Sequence, residues 1–185
     1  MNHGDPAFES VQSNVVDASG HSAGFIDLGF LYNIPVSASL SIRPSAVYAF
    51  GNTEIEFSIR NSTGGGVSNT LVPISKASLN VLLPLIVRLS SKKPQPHLIV
   101  GPGFNYLFED ALDRSEVPVA KFMFTVEGGL GLDFPVKSGW VISPEIRYAA
   151  GLNDIHDNAG TSNFALSLSS IKRQTYSAGI FLRRR

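Results

Sequence analysis

The sequence predicts an all-β fold, namely an antiparallel up-and-down transmembrane β-barrel. Three observations carry this prediction. Apolar residues recur at every second position in about seven segments of the chain, and the connections between these segments alternate between short and long. Charged residues make up only 16% of the 185 residues, compared with about 25% in an average soluble domain. Few charged side chains are therefore left to cover a surface that faces water.

The period of two is clearest in residues 39–50. One face of this segment carries the apolar side chains Leu40, Ile42, Pro44, Ala46, Tyr48 and Phe50. Because successive side chains of a strand point to opposite faces, the segment predicts a strand with one apolar face and one small, largely polar face. The same pattern predicts the full set of strands at 22–34, 39–50, 76–89, 97–108, 121–134, 140–152 and 174–183.

The connections between the predicted strands fall into two classes. Those at 34–36, 90–95 and 135–139 are short, whereas those at 51–73, 109–120 and 153–171 are long and rich in Gly, Ser, Asn and Asp. Short periplasmic turns and long outer loops are typical of a transmembrane barrel. Within the first long connection, Glu54–Ile59 still alternates. This predicts a strand that continues above the membrane and turns at Gly64–Gly66.

A period of two does not by itself say which face is the interior. A soluble lipocalin-like barrel that binds a small apolar ligand would place the apolar face inside, and we keep it as an alternative. Two features favour the opposite orientation. The polar face consists of small residues that suit a narrow lumen, and aromatic residues on the apolar face gather at both ends of the strands. Two aromatic girdles are typical of two membrane interfaces.

The beginning of the chain predicts a missing strand. The chain has no apolar run long enough for a transmembrane helix, and Met1–Pro6 is too polar for a signal peptide. Since an outer-membrane protein must be exported, we expect its signal peptide to lie outside this chain. Bacterial barrels have even strand counts, so we expect eight strands in the native protein and about seven in this chain. We assign 1–20 to an N-terminal tail or the remnant of an outer loop, and 21–185 to the barrel domain.

Four segments resemble the PorT-like outer-membrane β-barrel family of the Bacteroidetes: 21–30, 79–91, 96–106 and 143–155. The resemblance covers about residues 21–182, and the family begins with a strand before the first one predicted here. It implies a protein of the cell outer membrane, with lipid around it and protein partners at its loops or periplasmic turns. Some members serve the type IX secretion system. The resemblance therefore implies a non-enzymatic role, as a component or assembly factor of protein secretion.

Six charged residues of the polar face are predicted to form a structural charge network in the lumen: Asp27, Arg43, Arg88, Glu127, Glu145 and Arg147. Buried charges must be paired, because an unpaired one is costly. A tight hairpin at 34–36 would place Asp27 opposite Arg43. The next such hairpin would place Glu127 opposite either Glu145 or Arg147. We favour Arg147, with Glu145 reaching Arg43 or Arg88.

No catalytic, cofactor-binding or metal-binding residues are predicted. The chain has no cysteine, its four histidines do not have metal-ligand spacing, and it contains no nucleophile elbow. Lys+Arg and Asp+Glu both number 15, so no net charge favours nucleic acid as a partner. A second alternative to the non-enzymatic barrel is an outer-membrane barrel enzyme. It would need a His-containing polar cluster at the outer rim, which the predicted strands do not supply.

Overall fold

The fold is described from a computed structural model, which covers residues 7–8, 15–21, 25–60, 66–108, 120–136, 139–154 and 168–184. Over these ranges the protein is all-β and its strands pair antiparallel. None of the described residues forms a helix that is long and apolar enough to cross a membrane.

The described ranges contain thirteen strands. They are β1 (Ala7–Phe8), β2 (Val15–His21), β3 (Ile26–Leu31), β4 (Ile34–Pro35), β5 (Leu40–Ile42), β6 (Ser45–Arg60), β7 (Val67–Leu82), β8 (Leu85–Arg88), β9 (Gln95–Phe108), β10 (Phe122–Pro135), β11 (Trp140–Gly151), β12 (Leu168–Ser170) and β13 (Gln174–Arg184). Several of these are parts of one long strand. β2–β4 form the first long strand, β5–β6 the second and β7–β8 the third, followed by β9, β10, β11 and β13.

Two prolines interrupt the second and third long strands. Pro44 separates β5 from β6, and Pro84 separates β7 from β8. Proline has no N–H to donate to a neighbouring strand, which locally breaks the ladder. Hydrogen bonds beside each proline hold the strands in line. The amide of Arg43 donates to the carbonyl of Pro84 (2.9 Å), and the amide of Tyr32 donates to the carbonyl of Pro44 (2.9 Å).

The long strands follow one another as a meander, each pairing with the next in sequence. We call one end of the sheet the loop end, where the connections are 61–66, 109–121 and 152–173. The other is the turn end, with the short connections 36–39, 89–94 and 136–139. All seven predicted alternating segments are strands, as expected. The predicted extension is also confirmed, since β6 continues to Arg60 and β7 begins at Val67. Gly64 and Gly65, where the turn was predicted, lie outside the described residues.

The sheet begins earlier than the sequence predicted. Residues 15–20, which the sequence assigned to an N-terminal tail or the remnant of an outer loop, belong to β2 and pair with β6 in the extension beyond the loop end, for example Ala18 with Phe57. The alternation was not visible in the sequence because β2 starts with two consecutive valines and contains a register shift between Val15 and Asp17. In addition, β1 pairs with β12 in a separate two-stranded sheet.

The large sheet is rolled, so that its interior side chains meet. Arg43, beside β5, is in hydrogen-bond contact with Glu145 on β11, although three long strands lie between them in the sheet. The sheet is nevertheless not closed in the part of the chain that is described. There, β3 pairs only with β6, and β13 pairs only with β11. Both edges line the same interior cavity. We call the gap between β3 and β13 the seam.

Strand direction explains why the seam does not close by itself. In a meander of seven long strands, the first and the last run in the same direction, here from the loop end to the turn end. Two such edges cannot form the antiparallel ladder that joins every other pair of strands in the sheet. One additional strand, running from the turn end to the loop end, would be antiparallel to both.

The outward face of the sheet is apolar over most of its length. Ile146 is 60% exposed and Phe124 is 57% exposed, while the residues beside them in sequence, Glu145, Arg147 and Thr125, are buried. The remaining residues predicted to point outward are half-buried or exposed: Leu40, Ile42, Leu79, Val81 and Ile142. The apolar side chains therefore lie on the outside of the rolled sheet, and polar side chains lie inside it.

Candidate functional site: the interior of the rolled sheet

The centre of the interior is a chain of ion pairs that joins three strands. The Glu145 carboxylate on β11 contacts the guanidinium of Arg43 through one oxygen and that of Arg147 through the other, with Arg147 Nη2 donating to Glu145 Oε2 at 2.6 Å. Arg147 also lies 3.3 Å from a carboxylate oxygen of Glu127 on β10. Arg43 and Glu145 are fully buried at their side chains. Each of these charges thus has a partner of opposite sign, as burial requires.

A second cluster surrounds Asp133, towards the turn end. Its carboxylate accepts a hydrogen bond from Arg183 Nη2 (2.6 Å) and lies 3.9 Å from Arg88 Nε. His97 joins the two clusters, because its ring nitrogens lie 3.6 Å from Asp133 Oδ1 and 3.2 Å from Glu145 Oε1. Ser143 Oγ lies 2.7 Å from the same Asp133 oxygen. The two clusters therefore form one continuous polar network, which we call the polar interior.

The six predicted network residues do not all lie together. Arg43, Glu127, Glu145 and Arg147 are in direct contact, and Arg88 reaches the network through Asp133. Asp27 does not reach this group. Its side chain lines the interior cavity near the seam, and the charged residue that acts on it electrostatically is Arg173.

The predicted charge network left out five residues of the interior: His97, Asp133, Ser143, Arg173 and Arg183. Four of them were detectable. Strand alternation alone places His97, Asp133, Ser143 and Arg183 on the polar face of their strands. Arg173 was not detectable in this way, because it precedes β13 and lies on no predicted strand.

The predicted pairing of Asp27 with Arg43 is wrong. Asp27 is opposite Ala49, and Ile34 is opposite Ile42. The hairpin loop is longer than expected and spans 36–39, where the Ser37 hydroxyl accepts hydrogen bonds from the amides of Ser39 and Leu40. This serine-stabilised turn shifts the register, so that Asp27 lies closer to the loop end than Arg43 does.

The predicted register between β10 and β11 is also wrong, although the favoured ion pair is present. Glu127 is opposite Ala149, while Arg147 is opposite Gly129 and Glu145 is opposite Gly131. The contact between Arg147 and Glu127 is therefore diagonal. Glycine opposite each long charged side chain leaves space for it. A β-carbon at Gly131 would collide with the imidazole of His97 and crowd the stem of Glu145.

Towards the loop end the interior changes character. Here the buried side chains form an apolar cluster, which we call the loop-side core: Val15, Ala18, Ile55, Phe57, Val72, Leu107, Met123 and Ile171. In this region the outward face of β6 is polar instead. The amide of Asn69 on β7 donates to Glu56 Oε1 at 2.7 Å, and the Ser58 hydroxyl lies 3.2 Å from Asn69 Oδ1. On β7, Asn69 shares the outward face with the exposed apolar residues Val67 and Leu71. On β6 the two faces have thus exchanged their chemistry.

Aromatic side chains surround the level at which this exchange occurs. They lie on the outward face, and their rings touch in pairs, with centroids 5.5 Å apart for Tyr48 and Phe108 and 5.3 Å apart for Tyr106 and Phe122. The full belt near the loop end consists of Tyr48, Phe50, Phe104, Tyr106, Phe108, Phe122 and Phe124 on neighbouring strands, with Tyr148 and Tyr176 in contact further round. Exposed Phe30, Tyr32, Phe134 and Trp140 lie on the other side, towards the turn end.

The chemistry available in the interior is that of charge pairing. The Ser143 hydroxyl contacts the carboxylates of Asp133 and Glu145 rather than the imidazole of His97, so it does not form the Ser–His pair of a histidine-activated nucleophile. No group of three or more His, Cys, Asp or Glu side chains among the described residues is arranged to hold a metal ion. Comparison with known family models, curated proteins and solved structures found no match to this chain.

Proposed function

We propose that this protein is a non-enzymatic β-barrel of the bacterial outer membrane, embedded in lipid by its outward apolar face. The observation that carries the proposal is the exchange of face chemistry along single strands. On β6, the outward residues Tyr48 and Phe50 belong to the aromatic belt, and Ala46 lies outward below it, whereas Glu54 and Glu56 are the outward residues above it. A strand that passes from hydrocarbon into water requires this change at the interface.

The exposed apolar surface supports the same conclusion. Large apolar side chains cover the outward face of β3, β9, β10, β11 and β13, including Phe30 at 89% exposure and Ile180 at 77%. A soluble monomer rarely exposes a contiguous apolar patch of more than a few hundred Å². Hydrocarbon around the sheet would remove the unfavourable contact between this surface and water.

The interior is unlike that expected of either alternative function. A soluble lipocalin-like barrel would surround its ligand with apolar side chains, whereas this cavity is bordered by Asp27, Glu127 and Arg147. An outer-membrane enzyme would place a histidine in a polar cluster at the outer rim. His97 instead lies in the polar interior and is 1% exposed.

We further propose that the native barrel has eight strands, with one strand filling the seam. Hydrocarbon cannot satisfy the unpaired backbone groups of an open edge, so neither β3 nor β13 can face lipid as an edge strand. An additional strand antiparallel to both would pair both edges and give the even strand count usual for bacterial barrels.

A role in protein secretion across the outer membrane is proposed on the PorT-like resemblance of the sequence. In an eight-stranded barrel the interior is just filled by side chains, so we expect no open pore. Partners would then bind at the surfaces that leave the membrane, which are the periplasmic turns and the extension of β6 and β7 beyond the loop end.

The membrane assignment is tested by fractionation of cells that express the complete reading frame. We expect the protein in the outer membrane, and we expect the unheated protein to migrate faster on a denaturing gel than the boiled protein. Recovery in a soluble fraction, with no difference in migration on heating, would contradict the proposal.

The eighth strand is tested by cross-linking across the seam in the same complete protein. Leu28 on β3 and Ala178 on β13 both border the seam, and the chain contains no cysteine that would interfere. An intervening strand separates the two edges by two strand spacings, about 9–10 Å. We expect Leu28→Cys with Ala178→Cys to join through a reagent of that length and to form no direct disulfide. A direct disulfide would show that the edges meet and that no strand lies between them.

A further inference from the structure

The cavity at the seam has a volume of about 550 Å³ and contains both charged and polar groups. It extends from Phe25 and Asp27 on the side of β3 to the inward residues of β13, with Asn80, Asn105 and Thr125 on the wall between them. Side chains of a seam-filling strand would therefore enter this cavity. The chemistry of its walls constrains what those side chains are.

Arg173 is a buried arginine in the wall of this cavity. It is only 7% exposed, yet its Nε and Nη1 atoms have no hydrogen-bond partner among the described residues. Its guanidinium lies over the ring of Phe25, 5.2 Å from the ring centre, and so spans the loop end of the seam. Burial lowers the pKa of Arg173 to about 10, and the group still carries its charge at neutral pH. A buried cation with two free donors is costly unless an anion reaches it.

Arg43 also has two buried donors without a hydrogen-bond partner, but it contacts a carboxylate, and Arg173 contacts none in the described part of the chain. The four other arginines of the interior all contact a carboxylate within 4 Å: Arg43, Arg88, Arg147 and Arg183. The five arginines that include Arg173 share four carboxylates, which are Asp27, Glu127, Asp133 and Glu145. The described interior therefore has one positive charge in excess. Asp27 is the carboxylate that acts on Arg173 through space, but the two form no ion pair within 4 Å.

From these observations we propose that the strand filling the seam carries a carboxylate at its inward position nearest the loop end, and that this carboxylate pairs with Arg173. The inference rests on the eight-stranded barrel proposed above and specifies the chemistry of its missing part. A strand antiparallel to β3 and β13 runs towards the loop end, so the carboxylate lies near its C-terminal end. Its outward residues are apolar, and its other inward residues are small, like Thr175, Ser177 and Gly179 of β13.

The experiment uses the full chain folded in detergent and labelled synthetic peptides of eleven residues, the length of β13. The peptides alternate Ser with Val or Leu and differ only at the last Ser position, which carries Glu, Gln or Lys. Binding is measured by fluorescence anisotropy. We expect the Glu peptide to bind about tenfold more tightly than the Gln peptide, as one charge-assisted hydrogen bond would give, and the Lys peptide to bind most weakly.

Variants of the chain identify the partner of the carboxylate. In Arg173→Gln the preference for Glu over Gln should fall below about twofold, and Arg173→Lys should restore most of it. Lys172→Gln is the matched control, because it removes an adjacent but exposed positive charge and should keep the tenfold preference. If Arg173→Gln fails to fold, the comparison of Arg173→Lys with Lys172→Gln still separates a specific contact from general charge attraction.

Three results would overturn the inference: equal binding of the Glu and Gln peptides, an equal loss of preference in Lys172→Gln, or no binding of any peptide. None of them depends on where the protein resides in the cell. Failure of the membrane assignment would be seen by fractionation, so the two proposals fail in distinguishable ways.

Discussion

The two halves of the rolled sheet differ in which side chains they bury, since one buries charged residues and the other buries apolar residues. In the half near the turn end, the interior is held by ion pairs around Glu145 and Asp133, and the outside is apolar. In the extension beyond the loop end, Phe57 and Ile55 are buried inside, and the outward residues of β6 include Glu54 and Glu56. β6 crosses the boundary with the same face inward, while the chemistry of both of its faces changes.

On the membrane assignment that we propose, the surroundings of a sheet, not its pairing, decide which face is polar. Interior positions near the turn end are then polar because the apolar residues lie on the surface that would meet lipid. Interior positions in the loop-side core are apolar because burial from water stabilises the fold there, as in any soluble protein. The change takes place at the aromatic belt, which fits one interface of a membrane.

The largest expected effect is the loss of a charge at the centre of the polar interior. Glu145→Gln keeps the size of the side chain but leaves the buried Arg43 without a carboxylate in contact, so it should lower the free energy of unfolding by about 3–5 kcal/mol. Urea unfolding in detergent, followed by the fluorescence of the single tryptophan Trp140, measures this. The control Glu56→Gln makes the same change on the exposed face of the extension and should alter stability by at most about 0.5 kcal/mol. Similar losses for both variants would contradict the contrast between the two halves.

A second prediction compares the outward faces of the two halves. Ile146→Arg places a charge where we propose hydrocarbon and should destabilise the protein by about 2–4 kcal/mol in lipid vesicles. Leu71→Arg makes a comparable change at an outward position of β7 beyond the aromatic belt. It should cost less than about 1 kcal/mol, because Leu71 is exposed and opposite Glu56 in the part of the sheet that we propose meets water. Urea titration of the refolded vesicles gives both values, and equal costs would show that no membrane boundary lies between the two positions.

The sequence predicted the strands and their inward faces, but not how neighbouring strands align. Period-two alternation is a property of one strand, so it could be seen at 39–50 and 140–152 without knowledge of any partner. Register depends on the hairpin loop. A turn at 34–36 and a loop at 36–39 differ by only a few residues, yet this difference moves the partner of Asp27 from Arg43 to Ala49. Nothing in the alternation distinguishes the two loops.

For the interior site, strand alternation predicted which side chains of the strands point inward, but it did not fix their contacts with one another. Inward alternation brought Glu145 and Arg147 into the lumen, and Glu145 was expected to reach Arg43 or Arg88; the structure shows that Arg43 is the one in contact. That contact depends on how tightly the sheet rolls, which is a property of all seven long strands. Arg173 was missed for another reason: it lies in a connection, where strand periodicity carries no information.

A third prediction tests whether the polar interior acts as a coupled network. Glu127→Ala leaves Arg147 with Glu145, whereas Arg147→Ala leaves Glu127 without its partner. The double variant should be less destabilised than the sum of the two single variants, with a coupling energy of about 0.5–3 kcal/mol. As a control, Arg147→Ala combined with Glu56→Ala joins two distant regions and should be additive within about 0.5 kcal/mol. Thermal unfolding in detergent measures both cycles, and additivity in the first would mean that no such coupling exists.

The smallest expected effect separates packing against protein from contact with lipid. Ile55→Val removes one methyl group from the loop-side core, where Ile55 is 2% exposed, and should cost about 0.5–1.5 kcal/mol. Ile146→Val removes the same group from an outward position, where mobile lipid chains can fill the space, so its cost should be close to zero. Urea unfolding in vesicles compares the two variants, and amide hydrogen exchange on β6 and β7 shows whether the extension opens separately from the rest of the sheet. An equal cost at both positions would indicate that Ile146 packs against protein, as it would if a partner rather than lipid covered the outward face.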